Sequence, residues 1–337
     1  MINSGGEKSR AANVAQGSKG KKYRVLLYEP IHKVGLDLLS SVADVIYAPD
    51  FDEKAILPLV HDVDGIIIRG FGKITANIMD AAPKLRVIAR HGAGLDNMDL
   101  EAAKERHIYA VYTPVANVQS VAEFCVGMIL NLSRSIMPAD RALRQGDWRA
   151  RNRYTGRELQ GKTLGIIGFG KIGQKVAAIC HVAFEMKILY YDVVAHSEVA
   201  LSLRAERTTL HDLLRRADYV SAHLPLLPET RGLIGAEQFA LMKPSAYFVN
   251  TGRGNTVDEA ALTEALRSGS ISGAGLDVFE VEPMVANNPL YQFENVVVTP
   301  HMAALTDEAY QRMAMVVRDV IRALGGETPK YWANPWT

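Results

Sequence analysis

Two histidines, an arginine and an aspartate each stand just beyond a short apolar run in the second half of the chain: His223, Arg253, Asp277 and His301. These types suit proton transfer and the holding of negative charge. Each has an ordinary alternative when taken singly. A histidine at a strand end is often a satisfied polar contact, Arg253 could bridge domains, and Asp277 could cap the segment that follows it. What joins them is the loop Gly168-Phe169-Gly170-Lys171-Ile172-Gly173, which follows the apolar run 163–167 and opens an apolar helical stretch. In such a loop the first glycine permits the tight turn, the second lets backbone N–H groups approach a pyrophosphate, and the third lets the helix pack on its strand. The helix N-terminus then faces the phosphate charge. Asp192 closes the next apolar run, at the position where an acid would take the ribose hydroxyls and repel a 2′-phosphate. Val193, Val194 and Ala195 follow it, leaving His196 as the only nearby basic residue, so NAD is the expected cofactor.

Alternating strand and helix patterns must position these groups. Strands are expected at 24–28, 44–47, 65–68, 86–89 and 109–112, with helical segments such as 97–106 between them. A long helix over 117–135 and a polar stretch over 144–161 lead to a second series near 163–167, 187–191, 219–223, 246–250, 273–277 and 295–299. A final helix, 307–324, is expected to return to the first series. The pattern predicts an α/β chain of parallel sheets, in which ligands lie beyond the carboxyl ends of the strands. Gly168, Asp192, His223, Leu224, Pro225, Thr251, Arg253, Asp277 and His301 all fall at such ends.

The 337 residues, 48% of them hydrophobic, suffice for two cores, and a formal net charge of +1 gives no reason to expect nucleic acid or an anionic membrane as partner. Small molecules are the expected partners. Cys125 and Cys180 lie in apolar helical patterns, which suits buried reduced thiols in a cytoplasmic protein, and no metal-ligand cluster stands out. No apolar run is long enough to span a bilayer, and the N-terminus lacks a secretory apolar core. Residues 1–22, rich in Gly, Ser, Lys, Ala and Asn, read as a disordered tail.

Beyond that tail the chain resembles the D-isomer-specific 2-hydroxyacid dehydrogenase family, which includes hydroxypyruvate and glyoxylate reductases and phosphoglycerate dehydrogenases. The resemblance is carried by IIIRGFGKIT at 66–75, ARHGAGLDNMDL at 89–100, TPVANVQSVAE at 113–123, GFGKIG at 168–173, HLPLLPETRGLI at 223–234, FVNTGRGNTVDEAAL at 248–262, GAGLDVFEVEP at 273–283 and VVVTPHMAA at 296–304. It implies two doubly wound parallel-sheet domains: a Rossmann NAD-binding domain, 116–302, inserted into a flavodoxin-like substrate domain made of 23–115 and 303–337.

The same resemblance implies Arg253, Glu282 and His301 as the catalytic set. His301 would give a proton to the developing alkoxide of a 2-oxo acid, Glu282 would orient the imidazole and favour its charged form, and Arg253 would hold the substrate carboxylate and polarise the carbonyl. Gly168, Gly170, Lys171, Ile172, Gly173, Asp192, Leu224, Pro225, Thr251 and Asp277 would bind the cofactor, Asp277 through the nicotinamide carboxamide. Arg69, Gly70, Ala93 and Gly94 would line the substrate side. The expected activity is that of a hydroxypyruvate or glyoxylate reductase. The alternatives are a phosphoglycerate dehydrogenase without a long regulatory extension and, in another class, an NAD-binding corepressor. Glu282 argues against a formate dehydrogenase, which would carry Gln there. Family members pair through the segment corresponding to 117–157, and its apolar residues Val121, Phe124, Val126, Met128, Ile129 and Leu132 exceed what one domain face would require, so a homodimer is expected.

Overall fold

The computed structural model describes residues 23–336, so the tail expected at 1–22 lies outside the described residues. The chain forms two compact units. One runs to His91 and takes in Asn97–Tyr112 and the chain from Ala314 on; the other comprises Gly92–Asp96 and Thr113–Met313.

In the first unit, strands β1 (Tyr23–Leu27), β2 (Ala43–Tyr47), β3 (Gly65–Ile68), β4 (Val87–Arg90) and β5 (Tyr109–Val111) form one sheet in the order β2-β1-β3-β4-β5. Every pairing is parallel. The helix Val317–Leu324 lays Val317, Val320, Ala323 and Leu324 against Val25, Leu27, Ile67, Val87 and Val111. Buried Asp319 on that helix accepts the N–H groups of Lys330 at 2.7 Å and Tyr331 at 3.2 Å. This directs the last residues along β5, where Trp332 bridges Val111 and Asn334 takes the Ala110 N–H at 2.9 Å.

The second unit holds β6 (Thr163–Ile167), β7 (Lys187–Tyr191), β8 (Glu206–Arg207), β9 (Tyr219–Ala222), β10 (Tyr247–Asn250), β11 (Gly273–Leu276) and β12 (Val296–Val298), all parallel, in the order β12-β11-β10-β9-β6-β7-β8. The chain reverses its winding direction between β6 and β9, so a crevice is expected at the carboxyl ends of those two strands. The helix Lys171–Phe184 buries Gly173, Val176, Ala177 and Cys180 against β6 and β7.

Each expected strand falls within one residue at either end of an observed one. Three features differ from expectation. The two-residue β8 is exposed and has no apolar run to announce it. The final helix is two helices, Asp307–Ala314 and Val317–Leu324, because its halves serve different cores: Ala309 and Met313 pack with Ala116, whereas Val317 and Val320 join the other unit's sheet. The apolar residues of the helix Val118–Arg134 are not in surplus, since Val126, Met128, Ile129 and Leu132 are buried in the unit's own core and Phe124 packs against it. The exposed apolar groups of this region lie further on, at Ile136, Leu143 and Trp148.

Candidate active site

Gly168 takes φ +90°, and a β-carbon there would meet the His223 carbonyl oxygen at 2.8 Å, so only glycine lets the β6 turn pass under the end of β9. A β-carbon at Gly173 would strike the Gly168 carbonyl, which explains the close seat of the helix that follows. Gly170, by contrast, faces open space and begins the helix Lys171–Phe184 with no side-chain cap. Lys171 and Ile172 therefore offer first-turn N–H groups to an anion. Two further polar atoms at strand ends, His223 Nδ1 beyond β9 and Thr251 Oγ1 beyond β10, are buried with no hydrogen-bond partner among the described residues. An uncapped helix, an open glycine and two orphaned polar atoms around one switch point fit a bound dinucleotide.

Asp192 Oδ2 accepts the Phe169 N–H at 2.7 Å and Oδ1 accepts the Val194 N–H at 2.8 Å, which ties the end of β7 to the glycine loop. His196 is not its only basic neighbour. Arg207 donates from Nη2 to the carbonyl oxygens of Asp192 at 2.9 Å and Val193 at 3.3 Å, because the unforeseen β8 brings it alongside β7. Leu224 packs near Gly168 and on the core, and Pro225 accepts a hydrogen bond from Thr230 Oγ1 at 2.6 Å, fixing the loop after β9.

Beyond β11 and β12, His301 Nδ1 donates to Glu282 Oε2 at 2.7 Å. Burial works against ionisation of Glu282, but the hydrogen bond and charge of His301, the Phe279 N–H and the charge of Arg253 outweigh it and hold the carboxyl below the usual glutamate range. His301 sits at φ +49°, a strained region for a non-glycine residue, and its N–H bonds to the Asp277 carbonyl at 2.8 Å. The Asp277 side chain is wholly buried and accepts from Thr299 Oγ1 at 2.6 Å, the Met302 N–H at 2.9 Å and the Ala303 N–H at 2.8 Å. Burial nonetheless pushes its carboxyl up. Asp277 thus fixes the turn that carries His301, a structural role that sequence reasoning kept only as its alternative.

Arg253 follows β10 and is held on three N–H groups. Nη1 donates to the Gly252 carbonyl at 2.8 Å, while Nε and Nη2 both reach Asp96 Oδ2 at 2.8 Å. Gly94 lies so close that a β-carbon would collide with Nη2. Asp96 received no role from the sequence, although it stands in the quoted stretch ARHGAGLDNMDL. Arg69 and Gly70 belong to the first unit, at the carboxyl end of β3. There Glu29 Oε2 accepts the N–H groups of Gly70 at 2.5 Å and Phe71 at 3.0 Å, a second carboxylate that sequence reasoning missed.

Cys125 and Cys180 are buried free thiols, and burial pushes Cys125 up to about 12, so it supplies no nucleophile. Among the described residues no single helix is long and apolar enough to cross a membrane, although the bent pair Val118–Arg134 and Ile136–Arg144 passes that test together.

Residues 126–303 match the family described as D-isomer specific 2-hydroxyacid dehydrogenase, NAD binding domain. The chain is 42% identical to a glyoxylate reductase of Thermofilum pendens, over 92% of this chain and 94% of that protein. It is also 42% identical to a D-3-phosphoglycerate dehydrogenase of Methanocaldococcus jannaschii, over 92% of this chain but 59% of that longer protein. Among solved structures, it resembles an NADPH-dependent glyoxylate/hydroxypyruvate reductase of Sinorhizobium meliloti in complex with NADP and malonate, at 30% identity and a TM-score of 0.83, covering 93% of this chain and 97% of that one.

Proposed function

Because the chain belongs to the D-isomer-specific 2-hydroxyacid dehydrogenase family, whose members are NAD(P)-dependent oxidoreductases, we propose that it interconverts small 2-oxo acids and D-2-hydroxy acids, with glyoxylate and hydroxypyruvate as its substrates. The observation that carries this reading is the His301–Glu282 hydrogen bond of 2.7 Å, in the same unit and at the same sheet edge as Arg253 and the glycine loop.

When bound, the nicotinamide supplies or accepts the hydride. With Nδ1 committed to Glu282, His301 has Nε2 left to give its proton to the alkoxide formed from the 2-oxo group, and neutral His301 takes it back in the reverse direction. Glu282 balances the imidazolium during the exchange. Arg253, already oriented by Asp96, has N–H groups remaining to hold the substrate carboxylate and polarise its carbonyl. Arg69, Gly70, Ala93 and Gly94 complete the substrate side in this proposal. Gly168, Gly170, Lys171, Ile172, Gly173, Leu224, Pro225 and Thr251 hold the cofactor, with Asp192 taking the ribose hydroxyls of NAD. Asp277 serves chiefly by shaping the His301 turn. Two copies pair through residues 117–157, using the exposed Ile136, Leu143 and Trp148.

The test follows NADH absorbance with glyoxylate, hydroxypyruvate, pyruvate and phosphohydroxypyruvate. Reduction of the first two is expected. Preference for phosphohydroxypyruvate would transfer the assignment to phosphoglycerate dehydrogenase, and NADH binding without turnover of any 2-oxo acid would favour the corepressor reading.

A further inference from the structure

We infer that Asn255 and Glu259 are positioning residues for the acid–base pair: they grip the loop that carries Glu282 and so hold its carboxylate against His301. The inference deepens the proposed roles of Arg253, Glu282 and His301 and rests on them. Glu282 stands in the irregular segment between β11 and β12, with Oε1 accepting the Phe279 N–H at 3.0 Å and Oε2 accepting from His301 Nδ1 at 2.7 Å. Glu280, just before it, is held at both of its backbone groups. Its N–H donates to Glu259 Oε2 at 3.1 Å, and its carbonyl accepts from Asn255 Nδ2 at 3.1 Å. The same Glu259 carboxylate holds the far end of the loop, since Oε1 accepts from Nδ2 of the buried Asn288 at 2.6 Å. A β-carbon at Gly254 would collide with the Phe279 carbonyl, so the loop lies directly on the segment 253–259.

That segment is itself stiff. Asn250 Nδ2 and Thr256 Oγ1 donate to the Arg253 carbonyl at 3.0 and 2.7 Å, and Asp258 caps the helix Glu259–Arg267 by accepting the Ala261 N–H at 2.9 Å. One short stretch of chain therefore presents the Arg253 guanidinium and also fixes where the partner of His301 stands. The charged groups that act on Glu282 are His301 and Arg253, both favouring its ionised form, and Asp277 faces His301 from the end of β11. Loosening the loop weakens the hold of His301 and drives the Glu282 carboxyl upward. Loss of a nearby negative charge by itself drives it downward, so the two effects of removing the Glu259 charge carry opposite signs. Asn255 is neutral and acts by position alone.

The experiment is carbon-13 NMR titration of the glutamate side-chain carboxyls in the full-length protein, with the Glu282 signal identified by its loss in Glu282→Gln, beside steady-state reduction of glyoxylate. In Asn255→Ala and in Glu259→Gln the Glu282 carboxyl should titrate about 0.5 pH units or more above its position in the parent. In both variants kcat should fall by roughly three- to tenfold, while KM and the NADH Kd change by less than about twofold. Added to Glu282→Gln, Asn255→Ala should bring no further loss of kcat, because both then act through one group. The inference is overturned if Asn255→Ala leaves the Glu282 titration within about 0.2 pH units of the parent, if Glu259→Gln moves it downward, or if Asn255→Ala lowers kcat equally in both backgrounds. A lower melting temperature with an unmoved titration overturns it too, as the mark of a merely structural role. The NMR reading needs no turnover, so a parent that reduced no 2-oxo acid would remove the proposed activity while the movement of Glu282 still decided whether the loop is gripped in this way.

Discussion

A single carboxylate oxygen, Asp96 Oδ2, receives both Nε and Nη2 of Arg253 at 2.8 Å. With Nη1 bound to the Gly252 carbonyl, the guanidinium plane is set before any substrate arrives. Asp96→Asn should therefore raise KM for glyoxylate about tenfold while changing NADH affinity little, because a neutral amide orients the fork less firmly. An unchanged KM would show that the loop backbone alone positions Arg253.

Gly94→Ala tests the same arrangement by crowding. The added methyl would displace the guanidinium and so misalign it with both Asp96 and the substrate. A loss of roughly 100-fold in kcat/KM with an intact cofactor Kd is expected, the scale on which small misplacements act. Steady-state kinetics beside fluorescence titration of NADH separates the two effects.

His301→Ala should keep NADH binding and lose about 100-fold or more in kcat, the usual worth of a positioned acid or base. Turnover of 2-oxo acids at the parent rate across pH would dismiss His301 from the chemistry.

Its partner gives a prediction about stability. The Glu282 carboxyl is held below its ordinary value in the folded chain, so the stabilisation it brings is complete above that ordinary value and fades as pH falls through the lower folded one. Thermal melts taken across the acid limb should show a smaller loss for Glu282→Gln than for the parent. Equal slopes would mean that the pair contributes nothing measurable.

His223 produces a separate acid effect of known sign. Burial pushes its imidazole down to about 4, below the unfolded value, so between about pH 6.5 and 4 the unfolded chain binds a proton that the folded chain refuses. Stability should fall as pH drops through that window, by at most about 3 kcal/mol. His223→Asn, which retains a polar group beside Ser221 Oγ, should flatten this part of the profile in denaturant titrations.

Trp148→Glu should yield a monomer by light scattering at micromolar concentration if the pairing face is where the exposed Ile136, Leu143 and Trp148 lie. A variant that remains dimeric would move the interface elsewhere.

The strands and the glycine loop were legible because their signals are local: apolar runs of four or five residues, and glycines at fixed spacing before a helix. The His301–Glu282 pair came through the family resemblance, since 19 residues separate two groups that no periodicity connects. Asp96 and Arg207 were not legible, for different reasons. Asp96 meets a residue 157 positions away, a contact set only by tertiary folding, and Arg207 depends on a strand too short and too polar to be recognised. The helix Val118–Arg134 misled in the opposite direction. Its apolar residues looked excessive because sequence counts them against one face, whereas Val126, Met128, Ile129 and Leu132 are all taken into the core of its own unit.

The hold of Asn334 on β5 has a practical outcome. Its side chain takes the Ala110 N–H and returns an N–H to the Ile108 carbonyl at 2.8 Å, standing in for a neighbouring strand at the sheet's margin. Trimming the chain to Lys330 would leave β5 with open hydrogen-bonding groups, the kind of margin onto which another molecule's strand can add. The last few residues thus guard against aggregation, and a truncated protein should precipitate during concentration before it shows any defect in turnover.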